Sequence, residues 1–334
     1  MALACGAASA AERLALPAGK HAVGFTIVES PGLERFLQVS VWYPARERVP
    51  AMRYRDYVLV SAREKSRAAL SPAENADALA RYRAFLSSNG LTAGAIDAWL
   101  ETSMAAARDA PPAGGRFPVV LIATGTGGAV QDEAVLGELL ASRGYVAATT
   151  PSPVRLGARM ESEADVLPVA TEQAGDLDTA LALLRHRPDV DHSRVGVVGY
   201  SFGARSALLF CARRPEVRAL VSLDGGIGSS QAKGWLPASF DRGGFRTPLL
   251  HVYEESDPAS PPDFALLDSL TRAPRRRVKV EGLGHLDFIT YGLAAATLPA
   301  MAGPGAAARL KHIREAHDHA LAFLDTHLRG GRSR

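Results

Sequence analysis

Apolar and polar positions change their period along this chain, and the changes mark its elements. The stretches "HAVGFTIVES" and "RFLQVSVWYPA" hold β-branched and aromatic residues in partial alternation, which predicts two strands joined by a turn at Pro31-Gly32. From about Tyr54 to Gly115 the pattern becomes helical. Ser71 as cap, Pro72 at the first helical position and Glu74 completing a capping box predict a helix start, and Asn89-Gly90 is the matching stop. A second helix is expected after Thr92, with Ile96, Leu100 and Met104 on one face.

From Phe117 the order is strand, loop, helix, repeated. "FPVVLIAT" is a continuous apolar run, as a parallel strand buried on both faces requires. "DEAVLGELLASRG" reads as helix, "YVAATTP" as strand, "ATEQAGDLDTALALLRHR" as helix, "SRVGVVG" as strand and "FGARSALLFCARR" as helix. "VRALVSLD", "TPLLHVYEE" and "RRVKVEG" read as three more strands, and "AAARLKHIREAHDHALAFLDTHL" as a closing amphipathic helix. The expected class is α/β: a mostly parallel central sheet flanked by helices, with right-handed crossovers. Residues 54–115 break the pattern and are expected to form a helical insertion, packed over the active face as a lid or as a fixed wall.

Composition narrows the picture in three ways. A chain of 334 residues, 47% hydrophobic and 22% charged, can bury a sizeable core in one large domain. The net charge is only +3 and the signs are interleaved, which argues against nucleic acid as a partner. No apolar run is long enough to form a transmembrane segment. Of the two cysteines, Cys211 falls in an apolar stretch and reads as a buried thiol, while Cys5 lies in a tail. Neither a disulfide framework nor a metal-type spacing is present. Residues 1–18 fit equally a flexible Ala-rich terminus and the remnant of a trimmed signal peptide, with "ASA" before Ala11 as a cleavage-like site. Both a cytoplasmic and a secreted or periplasmic location stay open, and residues 19–334 are expected to be one domain.

The candidate chemistry lies in "VVGYSFGARSALLF", Val197 to Phe210. A Gly-x-Ser-x-Gly pattern alone is weak; here it joins an apolar strand to a helix. Such a turn lifts a serine hydroxyl above the sheet, with a helix N-terminus behind it to favour developing negative charge. Ser201 is therefore the expected nucleophile. It needs a base held by an acid, which in this arrangement follow in the order acid, then base. Of nine histidines, His285 stands in "VEGLGHLDF", just past the last strand and among glycines, and is the expected base. Asp224 ends one strand and Asp257 follows the next, so spacing leaves the acid nearly even between them, with Asp224 favoured for its place directly at a strand end. The oxyanion donors are expected to be the N–H groups of Phe202 and of Thr126 in "ATGTGG". That loop lacks the ending of a nucleotide loop, so no cofactor is expected. No metal is expected either, because no His/Asp/Glu cluster has ligand spacing.

With these residues in place, the chain resembles the α/β-hydrolases, and more narrowly the plasma-type platelet-activating factor acetylhydrolases and the dienelactone-hydrolase-like bacterial esterases. The resemblance runs from about Val23 to the C-terminus and rests on "VSVWYPA", "FPVVLIATGTGG", "GYSFGARSA", "VSLDGG" and "GLGHLDF". It implies an α/β-hydrolase fold and a cofactor-independent serine hydrolase that cleaves small-molecule or polymeric carboxylic esters, lipid esters among them. It also implies that the acid is Asp224, with Asp257 the alternative used by other α/β-hydrolases. The family's oxyanion loop usually begins His-Gly; here it is Thr124-Gly125. Acyl transfer, amide or lactone cleavage by the same residues, and a non-catalytic binding protein on the same fold, are the competing readings.

Overall fold

The computed structural model describes residue 16 and residues 19–30, 36–46, 51–258 and 260–330. Cys5, the "ASA" site and the Pro31-Gly32 turn lie outside the described residues. The chain opens with β1 (Ala22–Glu29) and β2 (Gln38–Ala45). Helices α1 (Tyr54–Ala62), α2 (Pro72–Ser88) and α3 (Ala93–Glu101) and a short β3 (Ala106–Arg108) follow. Then come β4 (Phe117–Ala123), α4 (Ala134–Ser142), β5 (Val146–Thr150), α5 (Pro153–Leu156), α6 (Glu163–Leu184), β6 (Val190–Tyr200), α7 (Gly203–Arg213) and β7 (Val217–Leu223). The last elements are β8 (Leu249–Tyr253), α8 (Ala265–Ser269), β9 (Arg275–Lys279), α9 (Thr290–Thr297) and α10 (Ala306–Arg329), with short 3-10 turns at Ser230–Ala232 and His285–Phe288.

Among the described residues the strands form one sheet in the order β3-β1-β2-β5-β4-β6-β7-β8-β9. Strand β2 runs antiparallel to both neighbours, β1 and β5, and the remaining pairs are parallel. This mostly parallel sheet with helices on both sides is the α/β-hydrolase arrangement expected from the sequence. Successive strand residues serve opposite faces, as strand geometry requires. Val120 and Ile122 of β4 pack into one core with α1, α3, α4, α9 and α10, and Val119 and Leu121 into the other with α6 and α7. Each fully buried aliphatic side chain there stabilises the fold by about 1.5–3 kcal/mol. The outer strand β9 carries Arg275, Arg276, Arg277 and Lys279, charges that discourage pairing with another chain's edge.

The structure departs from the sequence reading at several elements. Within residues 54–115 there are three helices rather than two, and the segment ends in β3, which pairs in parallel with β1. Helix α3 stops at Glu101, so Met104 is not helical, although it is fully buried. Helix α6 begins at Glu163, before Pro168, rather than at Ala170. A capping box between Ser162 and Asp165 starts it, and Pro168 lies inside the helix, past its first turn.

Candidate active site

Three parallel strand ends deliver the three residues that the sequence singled out. Ser201 follows β6 directly and sits at φ +52°, the left-handed region that a side chain seldom adopts. The surrounding packing enforces it. A Cβ on Gly203 would lie 2.0 Å from the Ala123 carbonyl oxygen, and one on Gly199 would lie 2.5 Å from the Ala204 Cα. Helix and strands can close around the serine only because both positions are glycine. Asp224 follows β7 and is also left-handed, at φ +43°. Backbone bonds hold both turns: Ser201 N–H donates to the Leu223 carbonyl at 3.1 Å and Asp224 N–H to the Val252 carbonyl at 2.7 Å.

His285 opens the turn beyond β9 and bridges the two. Its Nε2 lies 2.9 Å from Ser201 Oγ. Its Nδ1 lies 2.5 Å from Asp224 Oδ2, while Asp224 Oδ1 accepts the Glu254 N–H at 3.3 Å. Asp257 stands in the wall of a neighbouring cavity, and the bond to the His285 ring comes from Asp224. Among the described residues, the N–H groups of Thr126 and Phe202 donate to no carbonyl or side chain, and Thr126 lies beside Ser201 in the cavity wall. No group of three or more His, Cys, Asp or Glu among the described residues is placed to hold a metal ion. No helix among them is long and apolar enough to cross a membrane.

Other residues shape the site, and the sequence reading did not single them out. The Tyr200 ring stacks on His285 at 4.9 Å, and its hydroxyl donates to the His285 carbonyl at 3.1 Å. Burial holds the Tyr200 phenol well above its ordinary proton affinity, so it stays a donor. Gln173 of α6 is fully buried and donates to the Thr124 carbonyl and hydroxyl at 3.0 and 3.2 Å, and Ser206 Oγ donates to its Oε1 at 2.6 Å. This bracing supports the loop that carries Thr124 in place of histidine. The only trace of Gln173 in the sequence is a polar residue on the apolar face of a helix. His251 of β8 is buried with Nδ1 2.9 Å from Ser222 Oγ, and burial pushes it down to about 4.

Two cavities meet at Ser201 and His285. The larger, about 900 Å³, is walled by Val58, Ala78, Tyr82 and Phe85 of α1 and α2, with Arg155, Leu286 and Ile289. Phe85 and Leu286 are the largely exposed big apolar side chains of the described residues, at 60% and 50%. Arg155 is not free for a substrate, because it pairs with buried Glu64 and donates to the Ser61 carbonyl at 3.0 Å. Arg159 pairs with Glu161 on the surface. Asp132 and Glu133 also line this cavity, and burial holds both carboxyl groups above their ordinary range. The smaller cavity, about 230 Å³, lies towards the segment after Asp224 and is mostly polar.

Residues 104–263 match the dienelactone hydrolase family. A protein of Methylorubrum extorquens named as a carboxymethylenebutenolidase is 28% identical over 216 residues, covering 61% of this chain and 71% of that one. The solved structure of a ferulic acid esterase from Streptomyces cinnamoneus superposes with a TM-score of 0.67 at 23% identity, over 97% of this chain and 95% of that one. The chain has the α/β-hydrolase fold, and its residues 104–263 are similar to the dienelactone hydrolase family.

Proposed function

We propose that the chain is a serine hydrolase of carboxylic esters, with Ser201 as nucleophile, His285 as base and Asp224 as the acid that holds it. The observation that carries this reading is the unbroken chain of hydrogen bonds from Asp224 through His285 to Ser201. Asp224 fixes the ring so that Nε2 faces the serine and stabilises the imidazolium that forms there. Ser201 Oγ attacks the ester carbonyl carbon as His285 Nε2 takes its proton. The N–H groups of Thr126 and Phe202 receive the oxyanion, the charge that develops only in the transition state. When the carbon–oxygen bond breaks, His285 returns the proton to the departing alcohol, leaving an acyl group on Ser201. Water, deprotonated by the same nitrogen, then releases the acid.

The family match supports esters and lactones alike, and a lactone follows the same steps with its alcohol still tethered. Two measurements test the proposal. Wild-type protein hydrolyses p-nitrophenyl acetate and takes a fluorophosphonate label on Ser201. Ser201→Ala keeps its circular dichroism spectrum and loses turnover by about 10³-fold or more. Retained turnover in that variant overturns the assignment.

A further inference from the structure

The smaller cavity contains a charge that the ester chemistry described so far does not use. Arg205 stands on the first turn of α7, four residues after Ser201, and is only 5% exposed. Its Nη2 donates to the Gln231 carbonyl at 2.7 Å, and its Nε is buried without a partner. Among the described residues no carboxylate pairs with it, and its proton affinity is altered only by loss of hydration. The rings of Phe202 and Trp235 lie 5.6 and 5.8 Å away. A Cβ on Gly226 would come within 3.1 Å of the guanidinium, so glycine lets it lie against the backbone. Ser229 Oγ, in the same cavity wall, is also buried without a partner.

A guanidinium taken out of water is costly unless an anion meets it, and its planar fork suits a carboxylate. Three carboxylates share the cavity wall. Asp224 is bonded to His285 and Glu254 to the Ser256 amide, and none of the three forms an ion pair with the guanidinium. The place for an anion is therefore beside Arg205 and within the cavity that Ser201 opens onto.

The two cavities also differ in a way that orients an ester. The alcohol must leave at the first step, whereas the acyl group stays on Ser201 until water arrives. The wide cavity under α1 and α2 gives a departing group its exit, and the 230 Å³ cavity fits a short part that stays. We propose that Arg205, assisted by Ser229, binds a carboxylate on the acyl side of the substrate, which makes monoesters of short dicarboxylic acids the preferred class. Hydrolysis then adds water across the ester bond and releases the alcohol and a free dicarboxylate.

This inference rests on the serine-hydrolase reading, and p-nitrophenyl acetate turnover with fluorophosphonate labelling checks that reading separately. The test compares monomethyl succinate with methyl 4-methylpentanoate, in which an isopropyl group replaces the carboxylate at similar size. Wild-type kcat/KM should favour the hemiester by about tenfold or more, and Arg205→Met should bring the ratio to about one or below. No preference in the wild type overturns the proposal. So does an equal loss on both esters in the variant, which would make Arg205 a structural brace. Preference for acetoxyacetate, whose carboxylate lies on the alcohol side, over monomethyl succinate also overturns it. Should Arg205→Met not fold, competition in wild-type protein decides: succinate should inhibit p-nitrophenyl acetate hydrolysis at lower concentration than 4-methylpentanoate, and equal inhibition overturns the inference.

Discussion

Ser201 and Asp224 share an uncommon backbone state at the ends of adjacent strands, and His285 closes the gap between their side chains. If Asp224 is the supporting acid, Asp224→Asn should cost about 10³–10⁴-fold in kcat on p-nitrophenyl acetate, because the ring loses its tautomer. Asp257→Asn should stay within about threefold, and the reverse ranking would move the acid to the later loop. Tyr200 makes a finer prediction. Tyr200→Phe keeps the stacked ring and loses only the bond to the His285 carbonyl, so kcat should fall by about three- to tenfold. Tyr200→Ala, which also removes the stack, should fall further with little change in KM. At this scale the sequence was informative where chemistry is local. The glycines around Ser201 announce its turn, and those around His285 announce its loop. Asp224 and Asp257 both follow strands, so spacing left them nearly even, with Asp224 favoured for its place directly at a strand end; the contact of the His285 ring is with Asp224. Gln173, Tyr200 and Arg205 left no clear signal, because each reads as an ordinary position on a helix or strand until its neighbours across the fold are known.

Elements were legible to the extent that their ends carry their own chemistry. Helix α2 begins and ends where Ser71, Pro72, Glu74 and Asn89 predict, and its capping box is formed: Ser71 N–H donates to Glu74 Oε2 at 2.8 Å. Ser71→Ala should cost about 1 kcal/mol, felt mainly in α2, and limited proteolysis should cut faster near residue 71. By contrast β3 is three residues long and exists through its pairing with β1, a contact no local pattern announces. The α6 start was hidden by Pro168, which reads as a breaker but here lies inside the helix, past the first turn that the Ser162–Asp165 capping box begins. Close packing makes its own prediction at the β6–α7 turn. Gly203→Ala drives a methyl into the Ala123 carbonyl and should destabilise the fold by roughly 3 kcal/mol or more, read as a lower urea midpoint.

For the whole molecule, buried ionisable groups oppose each other in their response to acid. Folded His251 takes its proton only near 4, against an ordinary value of 6.5. The unfolded chain therefore binds that proton first, and stability falls as pH drops from about 6.5 to about 4. Glu64 is pushed up from 4.5 to about 7, so its contribution falls instead as pH rises across that window. The two slopes offset each other over much of the mildly acidic range. Removing one exposes the other: from about pH 7 to about pH 4.5, His251→Gln should gain roughly 2–3 kcal/mol relative to wild type in urea unfolding. An unchanged difference would mean that His251 takes its proton as readily in the folded chain as in the unfolded one.

The backbone bonds at the strand ends carry one more consequence. The amides of Ser201, Asp224 and Gly226 are all spent on carbonyls of the sheet or of the turn beside it. Their exchange with deuterated solvent should thus need the sheet itself to open, at a rate set by global unfolding, whereas α2, with only Ala78 and Leu86 buried, should exchange through local openings. Mild denaturant should then loosen the rim of the large cavity well before it disturbs the serine turn.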